Sequence, residues 1–441
     1  MTLLSGWGRF PRLDCSVRRP RSEEDLRALV RQGRLAARGN GRAYGDSAMS
    51  ATNTADMRAF SRMIGFDPDP GVLTVEAGIL LSDVIRTFLP RGWFPPVTPG
   101  TKFVTVGGMI AADVHGKNHH KVGTFGNFVD WIDVMGPDGK VRRCARSENS
   151  DLFGWTVGGM GLTGAIVRAA FRLQPVETGW IRQTTIPAPG LDAAMDAFEK
   201  NLDATYSVAW IDCLSGGAKL GRSLVYLGEH AARGDLGRRE ARAPFGKLDR
   251  RTLGVPFDAP PGLLNGLTVR AFNALYYRTG RRGAPKRLVD WDSYFYPLDG
   301  VLGWNRIYGR RGFAQFQCAL PLDRSRDGLR ALLDATSRAG AGSFLAVLKR
   351  FGAQDSRISF PMEGYTLALD FPVTRKTLAL LAELDRIAIE HGGRFYLAKD
   401  SRMTAPTLTA SDSRIPDFVA MRRADGCADA FSSAQSERLA L

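Results

Sequence analysis

Residues 99–126 read PGTKFVTVGGMIAADVHGKNHHKVGTFG, and they hold glycines, hydroxyls and three of the chain's five histidines in one short segment. Upstream lies a second glycine-rich turn, Arg38-Gly-Asn-Gly-Arg-Ala-Tyr-Gly-Asp46. Each follows an apolar run. Glycine admits positive φ and lets backbone N–H groups approach phosphate oxygens closely. The pair therefore predicts two loops gathered around a large anionic ligand. Neither loop fits a G-x-G-x-x-G between a strand and a helix with a downstream acid, so the Rossmann arrangement is not expected.

Outward from these loops, Ser22 to Arg31 reads as a helix with a serine N-cap and acids in its first turn. Val72-Leu-Thr-Val-Glu-Ala is a strand, Leu81 to Leu89 a helix, and Trp93 to Pro99 is extended by its prolines. Thr105 opens a short helix of small residues. Val129 to Met135 and Val141 to Cys144 form a hairpin about the turn Gly136-Pro-Asp-Gly139. A glycine step and a strand occupy Leu162 to Leu173. Beyond residue 178 the strands Ser207–Asp212, Phe313–Leu320 and Thr366–Phe371 alternate with amphipathic helices Asp327–Arg338 and Thr374–Glu390. This predicts a second α+β domain on an antiparallel sheet. Ala231 to Lys286, rich in Arg, Gly and Pro, reads as long mobile loops with an apolar helix over Leu263–Tyr277.

The chain has 441 residues, enough for two domains, with ordinary apolar and charged content. Its net charge of +15 suits an anionic partner or reflects a genome that favours arginine. No nucleic-acid-binding motif accompanies it, so no nucleic acid is expected. Five cysteines, Cys15, Cys144, Cys213, Cys318 and Cys427, are scattered without a C-x-x-C pair. That argues against a zinc site or a disulfide framework. His115, His119 and His120 have only Asp113 close by and no recognised ligand spacing, so no metal is expected. The N-terminus lacks a signal-peptide apolar core and no stretch has membrane-spanning length. The expected location is cytoplasmic, or peripheral at the inner membrane.

The motifs GRAYGDS, PGTKFVTVGGMIAADVHGKNHH, VGGMGLTG, WNRIYG, FLAVLKRFG and FYLAKDSR, in this order and over nearly the whole chain, resemble the decaprenylphosphoryl-β-D-ribose oxidase family. These are FAD enzymes of the vanillyl-alcohol-oxidase class. The resemblance implies an FAD-binding domain in two parts, 1–178 and 394–441, around a substrate-binding domain at 179–393. It implies noncovalent FAD contacted by Gly41, Arg42, Ala43, Tyr44 and Gly45, and by Gly100, Thr101, Lys102, Thr105, Gly108 and Ala112. Further contacts are implied from His115, Gly116, Asn118, His119, Gly123, Ile166 and Tyr396.

Lys399, His115 and Tyr44 are the implied catalytic residues. Lys399 would stabilise negative charge on the reduced flavin, and His115 would hydrogen-bond substrate or move a proton. Lys117, Tyr308, Gln317, Lys349, Thr366, Ala368 and Lys399 are the implied substrate contacts, with Lys117 reaching the phosphate. Ala368 stands where the mycobacterial enzymes carry a cysteine attacked by nitro-aromatic inhibitors, and Thr366 where they carry an asparagine; both departures bear on substrate identity.

The implied reaction is oxidation of the C2 hydroxyl of a polyprenylphosphoryl ribose to the 2-keto sugar. An NAD(P)H-dependent reductase would then complete epimerisation to the arabinose donor. Two other readings are an alditol or aldonolactone oxidase using oxygen, and a non-enzymatic glycolipid-binding assembly protein. Flavin absorption on purification separates the last from both enzymes.

Overall fold

Two antiparallel sheets and a small parallel one frame the molecule. The computed structural model describes residues 1–246, 252–260, 265–343 and 345–441. Near the N-terminus, Val17–Arg18, Thr54–Asp56 and Ala36–Arg38 form a three-stranded parallel sheet with Thr54–Asp56 in the middle. The helix Glu23–Val30 starts at a Ser22–Asp25 capping box and buries Leu26, Leu29 and Val30. A five-stranded antiparallel sheet follows, in the order Val141–Ala145, Val129–Met135, Ala165–Arg172, Val72–Glu76, Met63–Asp67. The helices Leu81–Phe88 and Val106–Ala111 share one apolar core with it.

An eight-stranded, wholly antiparallel sheet forms the second half. Its order is Lys286–Asp290, Trp180–Ala188, Ser223–His230, Tyr206–Ile211, Ala346–Phe351, Gly364–Pro372, Phe313–Pro321, Arg394–Phe395. Side chains alternate across a strand. Phe316, Cys318, Leu348, Leu367 and Leu369 therefore enter one core with the helices Leu191–Glu199, Ser325–Ala339 and Arg375–Glu390. Gln315, Gln317, Val347, Lys349, Thr366, Ala368 and Asp370 take the opposite face.

The C-terminal segment returns to the N-terminal region. Leu35 bridges Phe431 in parallel, and Phe431 packs with Leu26 and Leu29. Arg438 pairs with Asp46 and with Asp400, at 2.7 and 2.8 Å. The strand Arg394–Phe395 lies on the edge of the eight-stranded sheet, so the chain leaves that sheet just beyond the expected boundary at 393.

Within residues 231–286 the expected helix is present and longer than expected. Gly266–Arg282 is a 17-residue helix whose Asn265 side chain accepts from the N–H groups of Leu267 and Thr268. Leu263, the expected helix start, lies outside the described residues, as does Phe344. The helix is held at few points, with Val269 and Asn273 buried and Asn273 donating to Asp212 at 2.7 Å. Its open face mixes arginines with the exposed Leu267, Leu275 and Tyr276, and the helix runs on past the expected end at Tyr277. The strands Trp180–Ala188 and Ser223–His230 escaped the sequence reading, since Pro187 and Gly228 interrupt them.

Candidate active site

The two glycine loops touch. The Asn40 side-chain amide donates to the Phe103 carbonyl at 2.8 Å. A Cβ on Gly39 would lie 2.2 Å from Thr105 Oγ1, so only glycine allows that approach. Gly41 has φ +63°. The Tyr44 N–H donates to the Ala398 carbonyl at 2.9 Å, tying the first loop to the segment that carries Lys399. Tyr396 ties that segment to the second loop through its hydroxyl, which donates to the Ala112 carbonyl at 2.9 Å.

Between these loops and the polar face of the eight-stranded sheet lies a cleft of about 760 Å³. Its sheet wall follows from register: Gln315 faces Asp370, Gln317 faces Ala368, and Lys349 faces Thr366. Three adjacent strands thus place amides, a hydroxyl, a lysine and a carboxylate on one surface.

His115 stands where the walls meet, 7% exposed and ringed by Phe351, Phe360 and Tyr396. Its Nε2 lies 3.1 Å from the Gln317 amide nitrogen and its Nδ1 lies 3.4 Å from Lys349 Nζ. Burial, reinforced by Lys349, holds its pKa well below the usual value, so the ring is neutral. Both nitrogens of a neutral ring cannot accept, because one carries the proton. The Gln317 amide nitrogen also donates to Thr366 Oγ1 at 3.2 Å, and the Thr366 hydroxyl donates to the Cys318 carbonyl at 2.8 Å, so a charged Lys349 donating to Nδ1 would place the ring proton on Nε2. Burial pushes Lys349 down to about 8.

Lys399 Nζ sits over the Tyr44 ring, 3.6 Å from its centroid. Asp370 is fully buried; its Oδ1 accepts from Gln315, while Oδ2 has no partner among the described residues. Burial pushes Lys399 down and Asp370 up, and the attraction between them opposes both shifts.

Among the residues expected to hold the cofactor, Gly41, Arg42, Ala43, Tyr44, Gly100, Thr101, Thr105, Gly108, Ala112, His115 and Tyr396 line this cleft. Of the expected substrate contacts, Gln317, Lys349, Thr366, Ala368 and Lys399 do so. The rest sit behind the wall. Lys117 donates to the Tyr294 carbonyl and lies 4.3 Å from that ring's centroid, with burial pushing it to about 7. It follows His115 by two residues, but the chain turns inward there. Lys102 pairs with Asp292. Asn118 donates to the Pro96 carbonyl at 2.7 Å, and His119 meets Gln354 at 2.7 Å. Tyr308 stacks on Phe313 with centroids 4.4 Å apart. Gly45 abuts Asp400, Gly116 abuts Asn118 and Gly123 abuts Asn127, while Ile166 is buried in a strand.

Sequence reasoning missed Asp370, Gln315 and Val347. The period of two on the expected strands Phe313–Leu320 and Thr366–Phe371 reaches two of them: Asp370 follows Ala368 by two and Gln315 precedes Gln317 by two. It also missed Asp299, Trp304 and Asn305 on the cleft wall. Among the described residues no His, Cys, Asp and Glu cluster is arranged to hold a metal ion.

The backbone N–H groups of Asn40, Gly41, Arg42 and Ala43 have no acceptor among the described residues, and all four residues line the cleft. A run of free backbone donors beside a guanidinium suits a pyrophosphate. Residues 16–145 match the family model described as FAD binding domain. The molecule is thus an FAD-dependent oxidoreductase by class.

The chain is 37% identical to decaprenylphosphoryl-β-D-ribose oxidase of Mycolicibacterium smegmatis over 453 residues, covering 99% of this chain and 97% of that protein. It is 35% identical to a Streptomyces coelicolor protein of the mprA 5′ region over 372 residues, 82% of this chain and all of that one. Similarity to cytokinin dehydrogenase 5 of Arabidopsis thaliana, 30% over 192 residues, covers 40% of this chain and 35% of the plant protein. The chain belongs to the decaprenylphosphoryl-β-D-ribose oxidase family.

Proposed function

We propose that this protein oxidises the C2 hydroxyl of a polyprenylphosphoryl-β-D-ribose to the 2-keto sugar. The observation that carries the reading is the single cleft in which free amides of the 40–43 loop face a sheet surface bearing Gln317, Lys349, Thr366 and Asp370. FAD, when bound, supplies the two-electron acceptor for carbon–hydrogen cleavage. The 40–43 amides and Arg42 would hold its pyrophosphate. Lys399, stacked on Tyr44, would supply the cation toward charge developing on the reduced ring. Neutral His115, Gln317 and Thr366 would orient the sugar hydroxyls. Asp370, pushed up by burial, is the group able to take the hydroxyl proton. FAD would be held here without a covalent link, so acid precipitation should release the flavin into the supernatant.

Lys117 is buried, so the substrate phosphate would meet cations on the cleft wall instead. Arg9, Arg42, Arg306, Lys349 and Lys399 line it against the acids Asp299 and Asp370. Among the described residues no helix is long and apolar enough to cross a membrane. A lipid-linked substrate then calls for peripheral contact with the inner membrane, and a separate NAD(P)H-dependent reductase for the keto sugar. The test is turnover with an artificial electron acceptor and mass analysis of the product. Polyprenylphosphoryl ribose should lose two mass units, while free alditols and aldonolactones remain unchanged. Preferred turnover of alditols would replace this reading with the soluble-substrate one.

A further inference from the structure

Outside both large sheets, Leu253–Gly254 and Val301–Leu302 pair in parallel, with Leu253 opposite Val301 and Gly254 opposite Leu302. The clip is closed by backbone bonds from Val255 N–H to the Leu302 carbonyl and from Ala259 N–H to the Arg306 carbonyl, both 2.9 Å. The Arg306 guanidinium donates to the carbonyls of Val255 and Pro256 at 3.0 and 2.8 Å. Its backbone is thus held, yet its large apolar side chains stand in the open. Leu253 is 75% exposed, Phe257 69% and Leu302 48%. Apolar side chains grouped on one exposed element mark a contact surface. The same element lines the cleft through Val301, Leu302 and Trp304.

The charge around the clip is one-sided. Arg9 pairs with Asp258, Arg12 donates to the Arg310 carbonyl, and Arg306, Arg310 and Arg311 are exposed. In segments 252–260 and 297–312 the only acids are that paired Asp258 and Asp299, which is buried in the cleft. Exposed leucine and phenylalanine amid arginines are the composition of a surface that inserts shallowly into an anionic lipid leaflet.

We infer that the clip formed by residues 253–257 and 301–302 docks the enzyme on an anionic bilayer, with the cleft mouth against the lipid. Leu253 and Phe257 enter the acyl boundary and the arginines meet the headgroups. A lipid-linked sugar then reaches the cleft while its chain stays in the leaflet. This last step rests on the proposed substrate.

The test is sedimentation of the FAD-loaded enzyme with vesicles of phosphatidylglycerol and phosphatidylcholine in equal parts, and with phosphatidylcholine alone. Binding is expected only to the mixed vesicles, weakening as salt rises. The double variant Leu253→Ser, Phe257→Ser should lose tenfold or more in vesicle affinity. It should keep its flavin content and its turnover of a short-chain, water-soluble polyprenylphosphoryl ribose. Equal vesicle binding by the variant and the parent would overturn the inference. So would a parent that ignores the mixed vesicles but self-associates through this face, with the variant monomeric. Vesicle binding as expected, with no turnover of the short-chain substrate, would sustain the docking surface and overturn the substrate reading instead.

Discussion

Lys399 and Asp370 face the same cleft and depend on each other for charge. Lys399→Ala removes the cation stacked on Tyr44 and should slow flavin reduction by about 10²-fold or more. Stopped-flow bleaching measures this, and a near-normal rate would remove Lys399 from the chemistry. Asp370 acts in the opposite sense to burial on Lys399, since its charge raises the lysine. Asp370→Asn should therefore move the lysine's titration to lower pH. The alkaline limb of the reduction rate should follow, with roughly a tenfold loss for each pKa unit moved once that limb is reached. A limb that stays in place would separate Asp370 from the lysine's charge.

Lys349 provides a stability measurement. Its folded value, about 8, lies below the ordinary 10.5, so above pH 8 the unfolded chain binds more protons and stability rises with pH toward 10.5. Below pH 8 the full penalty applies. Lys349→Met should stabilise the protein at pH 7 by on the order of 2 kcal/mol, with the gain shrinking toward pH 10. Thermal melts at the two pH values check this.

At the scale of elements, the sheet wall makes a sharper claim than any one residue. Ala368 lies between Thr366 and Asp370 on the strand Gly364–Pro372 and lines the cleft. All five native cysteines are buried, and Cys318 enters the core on the far side of the sheet. Ala368→Cys should take up about one equivalent of a maleimide, or of a nitro-aromatic reduced to its nitroso form while the enzyme turns over, seen by intact mass, and the parent none. Label on the parent, or none on the variant, would put this strand face elsewhere.

Gln317, Thr366 and Ala368 were reached through the family resemblance, and the glycine pattern made the two loops legible. Two things were not. Lys117 sits in the most informative motif, but its direction depends on the turn into His119–Val122 and on the distant Tyr294, contacts that no local pattern encodes. The far end of the helix Gly266–Arg282 is the other: the sequence reading ends it at Tyr277, and its last residues, Arg278 to Arg282, carry no apolar signal.

Over the whole molecule, the two ends of the chain meet beside the first glycine loop through Leu35, Phe431, Asp46 and Arg438. Asp46→Asn breaks a buried partner of Arg438 and leaves that arginine with Asp400. A loss of about 1–3 kcal/mol is expected, and FAD should partly offset it by binding only the folded state. Urea midpoints with and without added FAD test this; an offset of zero would detach the loop from the cofactor.

The central claim joins cofactor, cleft and sugar, and anaerobic mixing tests it most directly. The FAD-loaded enzyme is mixed with polyprenylphosphoryl ribose carrying hydrogen or deuterium at C2. Flavin absorbance should bleach in a single turnover, several-fold more slowly with deuterium. Flavin that stays yellow with this substrate, or bleaches without an isotope effect at C2 while an alditol reduces it readily, would contradict the account.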